Sequence, residues 1–189
     1  MKELHRCGWA TNDPLYIEYH DKEWGVPVHD DKVLFEFLIL EGFQAGLSWI
    51  TILKKRPYFR KAFDNFNIKK IALYDINKIE ELMNNSRIVR NRLKINAAVI
   101  NAKAFLAVKK EFGSFDSYIW QFTGGKTLQR TLQNLKQIPV TTAESDIMSK
   151  DLKKRGFKFV GSTICYSFMQ AVGIVNDHIT GCFRHKELQ

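Results

Sequence analysis

No stretch of this chain stays apolar for the roughly 20 residues that a membrane-spanning helix requires. The opening residues, Met1-Lys2-Glu3-Leu4-His5-Arg6, also lack the apolar core of a secretory signal. A soluble, intracellular, cytoplasmic protein is expected. Cysteine is scarce: the three present are an odd number, which argues against a secreted disulfide framework and turns attention to metal or core roles. Acidic residues are outnumbered 20 to 29 by basic ones, and the formal charge of +9 favours a polyanionic partner, nucleic acid first, with a merely solvated basic surface as the alternative. Internal repeats, low-complexity linkers and runs of alternating apolar residues are all missing, which leaves an all-α fold class. With 45% hydrophobic residues, the 189-residue chain is read as one domain, 1–189, with a sizeable core.

What is present reads as a succession of helices. Asp13-Pro14 has the form of an N-cap followed by proline at the first helical position, which predicts a helix to about Lys22 with Tyr16 and His20 on one face and Tyr19 beside them. Asp30 or Asp31 can cap the next helix, whose stripe is Leu34, Phe37 and Leu38. Glu41 falls three, four and seven residues beyond these, on the apolar stripe. A carboxylate on the core side needs a partner or a ligand, unless the helix frays before Gly42 and lets it reach water. Leu47, next to Gly46, reads as presented on a turn. A helix through Leu53 is expected to stop before Pro57, with Tyr58 to Phe66 as another packed segment. The clearest long helix runs from about Val89 to Lys110, with Val89, Leu93, Ala97, Ile100, Ala104 and Val108 on its inner face. Arg87, Arg90, Arg92 and Lys94 crowd its start, where cations oppose the helix dipole; they serve a ligand or form a solvated face. Residues 126–138 read as loop or weak helix.

The stretch from Thr141 to Cys182 organises the rest. Thr141-Thr142-Ala143-Glu144 has the Thr-x-x-Glu form of a capping box, and the helix it opens ends at Lys153-Lys154-Arg155-Gly156. Phe157-Lys158-Phe159-Val160-Gly161 is a tight connection, after which Ser162 and Thr163 offer caps for a core helix holding Cys165, which reads as a buried thiol. From these residues alone, the pair is an ordinary αα-hairpin or a phosphate-facing one. Cys7, His20, His178 and Cys182 supply two thiolates and two imidazoles, the donors of a closed tetrahedral zinc site, although His5, His29 and His185 are available substitutes. Such a site would tie the two ends of the chain together.

Several of these segments, taken together, resemble the bacterial 3-methyladenine DNA glycosylase I family, within the helix-hairpin-helix DNA glycosylase superfamily. They are Arg6-Cys7-Gly8-Trp9, Asp13-Pro14-Leu15-Tyr16-Ile17 with Tyr19-His20-Asp21, Glu23-Trp24-Gly25-Val26-Pro27, Ala45-Gly46-Leu47-Ser48-Trp49, Lys154 to Gly161, and Cys165 to Gln170. The similarity spans nearly the whole chain and is weakest over 65–85, 123–140 and after Cys182. It implies a helix-hairpin-helix over about 142–175 and a structural zinc ion held by Cys7, His20, His178 and Cys182, in segments 5–22 and 176–184. It also implies a base pocket in which Glu41 hydrogen-bonds an extruded base enclosed by Trp9, Tyr16, Tyr19 and Trp49, while Leu47, with Gly46, fills the gap left in the duplex. Lys158, Phe159, Val160 and Gly161 would then meet a DNA phosphate. Trp24 and Trp120 are read as core.

The segment Val175-Asn176-Asp177-His178 departs from the Val-Asp-x-His of much of the superfamily, whose Asp assists bond cleavage; Asn176 is no carboxylate base. Ser162 stands where a hairpin lysine nucleophile would be, which argues against a strand-cleaving lyase step. The activity implied is therefore monofunctional: hydrolysis of the N-glycosidic bond of 3-methyladenine, and of 3-methylguanine as a second candidate, in alkylated double-stranded DNA. N3-methylation makes the base cationic and weakens that bond, so flipping, desolvation and recognition by Glu41 carry the reaction. The competing expectation is a zinc-stapled DNA-binding module without catalysis. A monomer is the simplest state, with no membrane and no obligate protein partner.

Overall fold

The computed structural model describes residues 4–10 and 13–189; residues 1–3, part of the N-terminal stretch read above, and residues 11–12 lie outside them. Helix α1 (Pro14–Lys22) begins as the Asp-Pro pair predicts, with the Asp13 carboxylate accepting the Leu15 N–H. Helix α2 (Asp31–Gln44) is capped by Asp30, which accepts the Val33 N–H. The stripe expected on α2 widens into a rod buried from Leu34 through Phe43, the pattern of a helix at the centre of a core. The helix does not fray before Gly42, so Glu41 stays inside.

Helix α3 (Trp49–Ala62) runs on through Pro57 rather than stopping before it. A proline in a helix interior costs about 3 kcal/mol. Against that, Phe59 and Ala62 beyond the proline are buried together with Ile52 and Leu53 before it, and each large apolar side chain buried contributes ~1.5–3 kcal/mol. Buried Arg56 adds ion pairs to Glu36 of α2 at 2.5 Å and to Glu23 at 2.6 Å.

Helices α4 (Ile68–Ile71) and α5 (Ile76–Asn84) lead to α6 (Arg92–Phe112), which starts at the Asn91 cap, later than Val89. Its inner face holds Ala97, Ala104 and Val108 as expected, together with Ile95, Ala98, Ala102 and Phe105, whereas Leu93 is 72% and Ile100 41% exposed. Phe105 stacks on Phe115, ring centroids 4.0 Å apart, and Lys94 turns inward. Its ammonium donates to the carbonyls of Phe43 at 2.9 Å and Ala45 at 2.6 Å. Lys94 thus satisfies orphan carbonyls at the end of α2, a role neither expectation for the basic cluster anticipated. Of its neighbours, Arg92 pairs with Glu80 and Arg87 lies over the Tyr58 ring.

Helix α7 (Phe115–Trp120) follows, with Trp120 buried and donating to the Val28 carbonyl, in keeping with a core role. The loop beyond it contributes a two-residue strand, β1 (Leu128–Gln129). Helix α8 (Ala143–Lys154) is capped one residue later than expected: Thr142 and Ser145, not Thr141 and Glu144, form the capping box. This register sends Met148 and Leu152 inward and leaves Ile147 outside. Helix α9 (Ser162–Ala171) has Gly161 as N-cap and no side-chain cap, so Ser162 is already helical and its first N–H groups carry no hydroxyl partner. Strand β2 (Val175–Asn176), parallel to β1, and helix α10 (Phe183–Glu187) complete the chain. One apolar cluster extends from Cys7 to Cys182 and places α2 against α3, α6, α7 and α9. Among the described residues no helix is long and apolar enough to cross a membrane.

Candidate active site and metal centre

Four helices leave a cavity of about 250 Å³ where α1, the end of α2, the start of α3 and the middle of α9 converge. The four residues expected to enclose a base, Trp9, Tyr16, Tyr19 and Trp49, all line it, as does Glu41, expected to hydrogen-bond that base. Helical spacing explains Tyr16 and Tyr19, on adjacent turns of α1, and Glu41 comes from the last turn of α2. Trp9 meets Tyr16 edge-on at 5.2 Å and Trp24 at 4.9 Å. Burial raises both phenols above their ordinary range, so both remain protonated.

Glu41 is 4% exposed, and its Oε2 has no hydrogen-bond partner; the buried Nε1 of Trp49 has none either. Burial pushes the Glu41 carboxyl up to about 8. An acceptor and a donor left unpaired at one cavity cost ~1–3 kcal/mol each, a cost that a ligand can remove. Five other residues line the same cavity: Trp24, Gln44, Ile138, Ser167 and Gln170. Trp24 is therefore both core and wall. Ser167 and Gln170 carried a signal that went unread, two polar residues one turn apart between the buried apolar residues Cys165, Phe168, Met169 and Ala171. Gln44 and Ile138 carried none.

A second cleft, of about 200 Å³, shares Glu41, Gln44 and Ser167 with this cavity and is also lined by Gly46, Leu47 and, from α9, Thr163 and Ile164. Gly46 adopts a left-handed φ of 83° that lifts Leu47, 41% exposed, out on its turn. Beyond the start of α9, Lys158 is exposed and Phe159 half-buried, with a left-handed φ of 54°. The Val160 side chain points inward, and its carbonyl accepts the Ser149 hydroxyl at 2.6 Å. Buried Asn101 of α6 braces the hairpin by bonding both the N–H and the carbonyl of Lys158, at 2.7 and 3.0 Å.

Cys7, His20, His178 and Cys182 come together from the two ends of the chain, all buried, with their ligand atoms within 4.8 Å of one another. The Cys182 sulfur is 3.4 Å from His20 Nε2 and 3.5 Å from His178 Nδ1, and the Cys7 sulfur is 3.6 Å from His178 Nδ1. For Zn–S of about 2.3 Å and Zn–N of about 2.0–2.1 Å, a tetrahedral S···N edge is ~3.5 Å. The other ring nitrogens are engaged, His20 Nδ1 donating to Asp21 at 2.8 Å and His178 Nε2 to the Trp24 carbonyl at 3.0 Å. That fixes the lone pairs toward the sulfurs. The hydrogen bond from the Cys7 thiol holds Cys182 far below the usual thiol range. This donor set can bind one metal ion. The alternative histidines stand elsewhere: His5 is exposed, His29 pairs with Asp116, and His185 donates to the His178 carbonyl. Burial pushes the Cys165 thiol up to about 12, as befits a core thiol.

A sequence profile of methyladenine glycosylases matches residues 9–185. The chain belongs to the methyladenine glycosylase family. It is 51% identical to DNA-3-methyladenine glycosylase 1 of Escherichia coli strain K12, over 95% of this chain and 96% of that one. A crystal structure of 3-methyladenine DNA glycosylase I superposes with a TM-score of 0.93 at 53% identity, covering 95% of this chain and 98% of the other. A variant of 3-methyladenine DNA glycosylase I in complex with 3-methyladenine superposes with a TM-score of 0.92 at 36% identity, covering 94% and 96%. The all-α fold is thus that of the methyladenine glycosylases. In this member of the family Asn176 faces away from the cavity, its amide donating to Gln129 and to the His185 carbonyl.

Proposed function

We propose that this methyladenine glycosylase removes 3-methyladenine from alkylated double-stranded DNA by hydrolysing its N-glycosidic bond, the opening step of base-excision repair. One observation carries the reading: an unpaired, buried Glu41 carboxyl and an unpaired Trp49 N–H share an aromatic-lined cavity of about 250 Å³. That volume lies below the ~300 Å³ at which pockets for drug-sized ligands begin, and it suits a single flipped base. Glu41 recognises that base. The aromatic walls of Trp9, Tyr16, Tyr19 and Trp49 favour a cation over neutral adenine, and the ionised carboxylate accepts from its exocyclic amine. Expulsion of water strengthens both interactions with the flipped, cationic nucleotide; on cleavage the electron pair of the N-glycosidic bond passes to the base, which leaves neutral, and the positive charge moves to the sugar, where water adds. Leu47 enters the gap in the duplex with Gly46 behind it, and the exposed Lys158 side chain with the backbone N–H groups of Phe159, Val160 and Gly161, ahead of the uncapped start of α9, contacts a phosphate.

The metal is zinc, bound by Cys7, His20, His178 and Cys182, and its part is structural. Four protein ligands leave no open position for water. By joining the segment before α1 to the segment after β2 it holds Trp9 and Trp24 at the cavity wall. Ser162 in place of a lysine leaves no Schiff-base nucleophile at the hairpin, so the reaction ends at an abasic site. The test is single-turnover release of 3-methyladenine from methylated duplex by wild type, Glu41→Gln and Trp49→Ala. The reading requires release by wild type and a fall of at least tenfold in each variant; an unchanged rate in Glu41→Gln would remove Glu41 from the site.

A further inference from the structure

The base cavity has a second polar wall, on α9, that the chemistry above does not use. Gln170 lines the cavity and is held from behind. Its Nε2 donates to Asp177 Oδ2 at 2.8 Å, and the same oxygen accepts the Tyr166 hydroxyl at 2.5 Å. Asp177, the residue after β2, is 1% exposed, and Arg130 Nε lies 3.8 Å from its other oxygen. A carboxylate among donors can only accept. It therefore takes the NH₂ end of the Gln170 amide and fixes which way round that amide sits. The amide oxygen, with no protein partner among the described residues, is left as an acceptor on the cavity wall.

We infer that Gln170, held in this orientation by Asp177, selects a flipped base with an exocyclic amine at its 6-position over one with an oxo group. The inference rests on the excision reading above. Ionised Glu41 is an acceptor from α2 and Gln170 Oε1 an acceptor from α9, so the cavity complements the two N–H bonds of an amine. An oxo group would set lone pair against lone pair and leave a buried acceptor unpaired, the kind of mismatch by which polar sites discriminate most strongly. Gln170 is in this account a specificity-determining residue and Asp177 a positioning residue. Neither takes part in bond cleavage.

The test is competitive. Methylated duplex DNA carrying both 3-methyladenine and 3-methylguanine is given to the full-length wild type, Asp177→Asn and Gln170→Leu, and both released bases are followed by chromatography, so that each reaction yields a ratio of kcat/KM values. An asparagine at 177 can donate or accept and so frees the Gln170 amide to turn. The expected result is that the preference for 3-methyladenine over 3-methylguanine falls about tenfold in both variants. Parallel losses on both bases, with the ratio within about twofold of wild type, would overturn the inference and leave Asp177 a structural residue. If Asp177→Asn fails to fold, the ratio in Gln170→Leu decides alone. A wild type that releases neither base refutes the excision reading itself, an outcome distinct from an unchanged ratio.

Discussion

Entry of a cation into the cavity should expel a proton from Glu41. Burial holds the Glu41 carboxyl at about 8 in the free protein, so at pH 7 roughly nine molecules in ten carry it protonated. Deprotonation at that pH costs ~1.4 kcal/mol. A cation about 4 Å away returns ~4 kcal/mol at an effective dielectric of 20, so the ionised form wins once the site is filled. Binding should therefore release about 0.9 proton at pH 7 and about 0.5 at pH 8. Affinity for a cationic base should rise by nearly tenfold per pH unit below 8 and level off above it. The ligand 3,9-dimethyladeninium keeps the charge of the alkylated nucleoside without a sugar bond to break. Titration calorimetry of this ligand at pH 7, in two buffers of different ionisation enthalpy, reads the proton number directly. Heats independent of buffer, with an affinity flat from pH 6 to 9, would refute the coupling. Glu41→Gln should release no proton and bind more weakly.

The same carboxyl affects stability with the opposite sign to a salt-bridged acid. The unfolded chain ionises Glu41 near 4.5 while the folded chain holds the proton to about 8, so ligand-free stability contributed by this group falls as pH rises between those values. Glu41→Gln should consequently be more stable than wild type at pH 7, by about 3 kcal/mol at most, as read by urea denaturation at pH 4.5 and 7. Equal stabilities at both pH values would contradict the raised value. Metal analysis should find one zinc per chain, and its removal by a chelator should lower Tm by about 10 °C or more, since the free energy of metal binding is folding free energy and each kcal/mol is worth ~2–4 °C at this size. A chain with no bound metal and an unaltered Tm would dismiss the zinc assignment. Gly173 has φ of 72°, and a Cβ there would lie 2.3 Å from the Val26 carbonyl carbon. Gly173→Ala should cost more than about 3 kcal/mol, combining overpacking with left-handed strain, and a Tm within 2–3 °C of wild type, which corresponds to ~1 kcal/mol, would show that the segment from Trp24 to Pro27 yields.

How far the sequence could be read depended on whether a residue's reason was local. Asp13-Pro14 and Asp30 announced helix starts because a cap is satisfied within its own turn. Glu41 was legible because an acid in register with Leu34, Phe37 and Leu38 must go where they go. Lys94 was not: its partners are carbonyls of Phe43 and Ala45 about fifty residues away, and nothing in its own helix distinguishes it from the arginines around it. The inner face of α6 was legible in part: Ala97, Ala104 and Val108 turn inward as expected, but Leu93 and Ile100 are as apolar as Ile95 and Phe105, and nothing within the helix says which of these pack, as Phe105 does on Phe115. Pro57 misled because a helix break is a local cost and the burial that overrides it comes from α2. The cavity's α9 wall was missed because helix periodicity reports the side that packs, and Ser167 and Gln170 are on neither a packed nor a freely solvated side. The four candidate metal ligands carried the right chemistry, but selecting them from five histidines and three thiols required the resemblance or the fold.

The central claim is excision of one kind of base, and the most direct measurement is chromatography of the bases released when the purified, metal-loaded protein meets methylated duplex DNA. The account predicts free 3-methyladenine in the supernatant, with 7-methylguanine left in the duplex and the strand uncut. Binding to the methylated duplex without release of any base would contradict it and leave a DNA-binding module in its place.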